Sequence, residues 1–188
     1  MNYQTAKEIE FACIKRVWNG GRYLVIPNVK DGFFRAREAD LLIITPSDYC
    51  FEIEIKISLA DFKNDFKKHI LINDMYVNDL RIKRKTYAVP EELYMKGGLE
   101  KLLPDGMGLW AVSKRGIVRK KVKPENKKGA RKLTDKEKNT LMRLGCLRLW
   151  GIKEKSIEID NIKKDIKKVL GGEDIKILKQ YIEKKKYW

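Results

Sequence analysis

Residues 38–69 read EADLLIITPSDYCFEIEIKISLADFKNDFKKH, and this stretch decides the fold class. ADLLIIT (39–45) is an apolar run of strand length, closed by the turn residues Pro46-Ser47-Asp48. Cys50 to Ile57 then alternates. Phe51, Ile53, Ile55 and Ile57 take one face, while Glu52, Glu54 and Lys56 take the other, the period of a strand. From Ser58 the period changes. Ser58 with Asp61 makes a helix start, and Leu59, Phe62 and Phe66 recur at helical spacing.

Upstream, Thr5 and Glu8 form a capping-box pair that opens a helix to about Trp18, stopped by Asn19-Gly20-Gly21. Arg22 to Pro27 (RYLVIP) is a short strand, followed by a polar turn through Asp31-Gly32. Downstream, Lys85–Val89 is a strand ended by Pro90, which suits the first turn of a helix through about Leu103. Gly106–Ser113 and Gly116–Val122 form a hairpin around Lys114-Arg115-Gly116. Thr134 and Glu137 repeat the capping box before a helix with Leu141, Leu144 and Leu147 on one stripe. A helical stretch from Ile152 follows, broken at Gly171-Gly172. The order α-β-β-β-α-β, with further strands after it, predicts an α/β (α+β) fold whose mixed sheet is covered on both faces. The expected organisation is a core over 1–122, a basic linker over 123–133 and a basic helical extension over 134–188.

The charge is unevenly distributed. The 188 residues carry a formal charge of +16 and a sequence pI near 9.7. Residues 1–113 hold 17 basic and 16 acidic side chains, whereas 114–188 hold 25 and 10. A balanced half followed by a basic half is the footprint of a core with a polyanion-binding extension, and nucleic acid is the expected partner. With 43% hydrophobic residues the chain is no disordered basic tail. No apolar run reaches spanning length, and MNYQTAKEIE is no signal peptide. Three scattered cysteines exclude a disulfide framework and a CxxC zinc site, so a cytoplasmic location, in a bacterial or phage-infected cell, is expected. A single histidine, His69, excludes HExxH and paired-histidine sites. A metal here would be held by oxygen atoms, as Mg²⁺ or Mn²⁺ is.

The chemistry-bearing residues lie on the two central strands. Glu54 and Lys56 share a face, and Asp40 on the neighbouring strand can meet Glu54 across the ladder. Facing carboxylates repel unless a cation lies between them, and Lys56 could then orient a water and stabilise charge developing on a phosphate. The plainer alternative is a solvent-facing strand with Glu and Lys paired across it.

A helix with an acid, an Asp on the second strand, Glu-x-Lys on the third, then a basic helix: this order resembles the PD-(D/E)xK nuclease superfamily. Across residues 5–150 the chain is similar to its small phage-encoded and MmcB-like DNA-repair members, above all in NVKDGFFRAREADLLIITPSDYCFEIEIKISLADFKNDFKKH and KRKTYAVPEELY. The resemblance implies a restriction-endonuclease-like αβββαβ core. It also implies metal ligands Asp40, Glu54 and the carbonyl of Ile55, with Lys56 as the catalytic lysine. Ala39 stands where the namesake motif has Pro. For the superfamily's first-helix acid, Glu8 is already explained as a cap. Glu10 shares a face with Cys13, Ile14 and Val17 and is the preferred candidate, completing a catalytic set of Asp40, Glu54, Lys56 and Glu10.

Glu52 reads as a rim residue paired with a nearby Arg or Lys. Asp65 and His69 share a helix face, and His69 either satisfies helix-end carbonyls or protonates a leaving group. Candidate nucleic-acid contacts are Lys63, Lys67 and Lys68 on the second helix, and the linker cluster Lys120, Lys121, Lys123, Lys127, Lys128, Arg131 and Lys132. Arg35 and Arg37 either touch the scissile phosphate or pair with Glu38. The expected function is a Mg²⁺-dependent (or Mn²⁺-dependent) DNA endonuclease, with DNA favoured over RNA, no membrane association, and a homodimer as one expected assembly. The alternatives are a non-catalytic nucleic-acid-binding protein on the same fold and a phage accessory protein binding a host protein.

Overall fold

The computed structural model describes residues 5–18, 21–30, 32–34, 37–71 and 79–169, and gives the backbone alone for 66–71 and 167–169. Arg35, the side chains of Lys67, Lys68 and His69, and the expected break at Gly171-Gly172 lie outside the described side chains. The chain forms two compact units, 1–145 and 146–188.

The first unit is built on a mixed sheet of six strands: β1 (Leu24–Val29), β2 (Ala39–Ile44), β3 (Cys50–Ile55), β4 (Ile82–Pro90), β5 (Gly108–Val112) and β6 (Val118–Val122). They lie side by side in sequence order. β1, β2 and β3 form an antiparallel meander. β4 joins β3 in parallel, β5 joins β4 in parallel, and β6 returns antiparallel as the expected hairpin. A parallel neighbour needs a crossover, and α2 (Leu59–Leu71) supplies the one between β3 and β4. α1 (Ala6–Trp18) precedes the sheet, so the chain runs α1-β1-β2-β3-α2-β4, the expected order.

Both expected capping boxes form. Thr5 N–H donates to Glu8 Oε2 at 2.8 Å while Glu8 N–H donates to Thr5 Oγ1 at 3.3 Å, and Thr134 and Glu137 do the same at 2.8 and 3.3 Å. Two orphan amides are satisfied at each helix start. The helix expected from Pro90 to Leu103 is instead two short ones, α3 (Glu91–Met95) and α4 (Leu99–Leu102). Gly97 and Gly98 divide them, with φ of +80° and +83°, a conformation that glycine adopts without a Cβ clash.

The sheet buries both faces. On one, Ile9, Ala12 and Cys13 of α1 pack on Leu41, Ile43, Ile53, Ile55, Ala88, Trp110 and Val112. On the other, Phe62 of α2 meets Tyr87, Val89, Leu93, Leu99 and Leu109. A further cluster joins Ile26, Val29, Phe33, Phe34, Leu42 and Ile44 to Leu133 and Leu141.

That last cluster corrects the expected organisation, because the first unit does not stop at Val122. Lys127 N–H donates to the Lys83 carbonyl at 2.9 Å, Arg131 N–H to that of Leu80 at 2.8 Å, and Leu133 N–H to that of Asp48 at 2.9 Å. Residues 123–133 are thus tied down rather than a free linker, and the start of α5 (Asp135–Val169) belongs to the core through Leu141. α5 also runs unbroken across Gly151, where two helical stretches were expected. In the second unit its apolar positions, including Trp150, Ile152, Ile159 and Ile162, are exposed.

Candidate active site

β2 and β3 position the central residues. Their register sets Leu41 against Ile53 and Leu42 against Glu52, so Asp40 comes opposite Glu54, on the sheet face away from α1. Ile57 falls beyond β3 and is exposed rather than facing the core. The carboxylate face is not solvent-facing: Glu52, Glu54 and Lys56 are all buried. Burying charges this way is costly unless each is paired.

Asp40 is tied to the third strand by a hydrogen bond from the Ile55 N–H to Asp40 Oδ2, 2.6 Å long. It is the Ile55 amide, rather than its carbonyl, that meets Asp40. Burial raises the Asp40 pKa, and Glu38 and Asp61 add to the rise, against the Ile55 amide and Lys56. Glu54 is shifted further. Burial pushes its carboxyl up to about 8, with Lys85 opposing and with Glu52 and Asp40 reinforcing. Among the described residues, Glu54 Oε1 is buried with no hydrogen-bond partner. On α1, the Glu10 pKa is raised by burial and then by Asp40. Glu10 therefore stands in the electrostatic neighbourhood of Asp40, whereas Glu8 is spent on its cap.

Lys56 reaches in two directions, 3.4 Å to Glu54 Oε2 and 3.0 Å to Asp65 Oδ1. Burial alone would lower its pKa, but Glu54, Asp65 and Asp61 together leave it raised. The other oxygen of Asp65 accepts the Tyr87 hydroxyl at 2.8 Å. Burial, with Asp65 after it, raises the Tyr87 pKa, which keeps the phenol a donor. Helical spacing groups Asp65 with His69, whose side chain lies outside the described residues; the described bonds of Asp65 are to Lys56 and Tyr87. No local signal announces this, because it depends on how α2 packs back against the end of β3.

A second buried network lies beside the first. Glu52 takes Arg37 at 2.6 Å and Lys85 at 3.1 Å, and the Arg37 guanidinium lies 3.6 Å from the Phe34 ring centroid. Glu52 is paired as expected, but at 1% exposure it is core rather than rim. Arg37 turns inward to Glu52 and not to Glu38. Asp79 carries the network outward, held by both ends of the Arg81 fork at 2.8 Å.

The basic cluster does not form one patch. Lys120 and Lys121, neighbours on β6, point to opposite faces. Lys120 Nζ is 5.9 Å from the Trp110 ring centroid and Lys121 Nζ 4.5 Å from that of Tyr94. Lys127 Nζ donates to the Asp79 carbonyl at 3.0 Å, and Arg131 grips Glu137 at 2.6 and 2.8 Å. Lys63, Lys123, Lys128 and Lys132 are exposed.

Whether a cation suits this site can be judged from its donors. Among the described residues, no group of three or more His, Cys, Asp or Glu side chains is gathered as a metal cluster. Mg²⁺, however, is commonly bound through one or two carboxylates, retained waters and substrate phosphates. Asp40 keeps Oδ1 and Glu54 keeps Oε1 outside any hydrogen bond among the described residues. An open oxygen on the half-buried Asp40 beside a buried, open oxygen on Glu54, both on carboxyls of raised pKa, is a donor set that a hard divalent cation fits.

No family model and no curated protein matches the sequence. A solved structure does: a protein of unknown function from Silicibacter pomeroyi (SPO1766), similar with a TM-score of 0.55 at 18% identity, over 83% of this chain and 96% of that one. What this chain shares with it is a fold, an α+β architecture in which helices flank a mixed sheet.

Proposed function

We propose that the chain is a divalent-cation-dependent DNA endonuclease of the restriction-endonuclease-like, PD-(D/E)xK type. One observation carries the reading: a buried carboxylate, Glu54, keeps an oxygen with no partner among the described residues, opposite Asp40 and beside an ion-paired lysine. Leaving such an oxygen without a partner is costly, and a cation would recover that cost. Asp40 and Glu54 are the residues that would hold Mg²⁺ or Mn²⁺, with the Ile55 carbonyl as the third donor the resemblance supplies. When bound, the metal acts as a Lewis acid towards the phosphodiester. Lys56, fixed by Asp65, stabilises the negative charge that grows on the phosphate as a water attacks phosphorus and the P–O bond to the leaving strand breaks. Glu10 shapes the field at Asp40 from α1.

A non-catalytic nucleic-acid-binding protein is the second reading. It is favoured by the Lys56–Asp65 pair, which already satisfies the lysine. No helix among the described residues is long and apolar enough to cross a membrane, and a DNA partner, a homodimer and a cytoplasmic site of action complete the proposal.

Incubation with plasmid, single-stranded and branched DNA, each with Mg²⁺, Mn²⁺ or EDTA, tests it. Cleavage that needs metal and is lost in Asp40→Asn and Glu54→Gln is expected. Thermal melts should rise with Mn²⁺ in the wild type and not in Asp40→Asn, by mass action on the folded state. Binding to DNA with no metal-dependent melt and no cleavage would leave the second reading standing instead.

A further inference from the structure

The first unit carries a cavity of about 530 Å³ walled by the first half of β4, the loop before β5 and the segment after β6. That volume suits a small-molecule ligand. Six cations line it, Arg37, Lys83, Arg84, Lys85, Lys127 and Lys128, against two carboxylates, Asp105 and Glu125. The single carboxylate of Glu52 pairs with both Arg37 and Lys85 from behind, and Lys83, Arg84, Lys127 and Lys128 carry most of the remaining positive charge.

The cavity is also polarised. Its 125–128 wall is pinned at both ends, by Glu125 N–H to the Gly106 carbonyl at 2.8 Å and by Lys127 N–H to the Lys83 carbonyl at 2.9 Å. The carboxylates are thereby held at the loop and the cations at β4. Arg84 is anchored through Nε to Asn126 Oδ1 at 2.7 Å, which leaves its two terminal nitrogens uncommitted among the described residues. Pro104 and Met107 add apolar wall. A larger cavity of about 720 Å³ lies against α3, but there Lys114 faces Glu92 and Arg119 faces Glu91, so it offers an anion little.

We propose that the β4 cavity binds a nucleoside 5′-phosphate, either free or as the phosphorylated end of a strand. A phosphate dianion meets the guanidinium and ammonium groups at the β4 end. In the free nucleotide the ribose hydroxyls donate to Asp105 or Glu125, and in either form the base lies against Pro104 and Met107. Asp40, Glu54 and Lys56 do not line this cavity, so the site stands or falls apart from DNA cleavage.

Calorimetric titration of the whole chain in EDTA tests it with AMP, adenosine, inorganic phosphate, and short oligonucleotides bearing a 5′-phosphate or a 5′-hydroxyl. AMP should bind saturably, with adenosine and phosphate each at least about tenfold weaker. The Arg84→Gln/Lys128→Gln variant should lose about tenfold or more in AMP affinity, and Lys114→Gln, in the other cavity, none. Lys83→Gln serves as a second variant should the double one melt early. Tighter binding of the 5′-phosphorylated strand assigns the site to strand ends, and equal strand affinities assign it to the free nucleotide. Equal affinity for adenosine and AMP, no saturation at millimolar AMP, or unchanged affinity in a well-folded charge variant would overturn the proposal.

Discussion

Lys56 Nζ sits closer to Asp65, at 3.0 Å, than to Glu54, its neighbour two residues back on the strand, at 3.4 Å. The lysine is therefore set by a helix that arrives after β3 and not by the strand alone. This also explains how Glu54 can be buried beside an ammonium and still keep one oxygen unsatisfied among the described residues.

The raised pKa of Glu54 predicts a pH dependence with a definite sign. A carboxyl that titrates near 4.5 when unfolded and at about 8 when folded binds its proton more tightly in the native state. The stability it contributes is full below about 4.5 and is lost as pH rises through about 8. Glu54→Gln should remove that slope. Urea midpoints compared near pH 6 and pH 9 should fall with pH in the wild type and fall less in the variant. Parallel curves would mean that Glu54 ionises freely.

Turnover should depend on Lys56 more than DNA affinity does. If its charge acts in the transition state, Lys56→Ala should slow cleavage by roughly 10² or more with the binding constant nearly unchanged. A matched loss of binding and cleavage would make Lys56 a phosphate contact. Asp65→Asn, which takes the pairing charge from a largely buried lysine, should cost about 3 kcal/mol in chemical denaturation.

Nucleic-acid affinity should fall with salt, and the exposed lysines should carry the dependence. Replacing Lys123, Lys128 and Lys132 together by Gln should flatten the log–log salt slope on duplex DNA by roughly 0.9 for each phosphate that is no longer neutralised. Replacing Lys127 and Arg131, which are engaged with Asp79 and Glu137, should lower the melting temperature and move the slope less. An unchanged slope in the triple variant would direct attention to Lys63 and its helix.

Two glycines should respond in opposite directions to alanine. A Cβ on Gly108 would lie 2.7 Å from Pro124 Cδ and 2.8 Å from Thr86 Oγ1, so Gly108→Ala should cost about 1–3 kcal/mol through overpacking. A Cβ on Gly151, in the middle of α5, would meet nothing within 4 Å among the described residues, and Gly151→Ala should add up to about 1 kcal/mol of helix stability. Thermal melts of the two variants, moving apart, check both.

The elements legible in the sequence were those with a local signature. The two Thr-Glu boxes, the β3 alternation and the Lys114-Arg115-Gly116 hairpin each announce themselves within a few residues, and Asp40 and Glu54 follow once β2 and β3 are adjacent. What escaped was non-local. That Glu52 would be sealed between Arg37 and Lys85, or Lys56 bonded to Asp65, depends on β4 and α2 returning to β3. The lysines of 123–133 hid a segment whose backbone is hydrogen-bonded to residues 48, 80 and 83. Composition described its side chains and missed its main chain.

The strict side-by-side order of the strands has a kinetic corollary. Each strand pairs with the one made just before it, so the sheet can grow as the chain emerges, each new strand closing on its immediate predecessor. The flank formed by Ile26, Leu42 and Ile44 is the exception, for its cover includes Leu133 and Leu141. A nascent chain ending at Val122 would present that flank bare, and dye that binds exposed apolar surface should light up on it and fade once the start of α5 has been made.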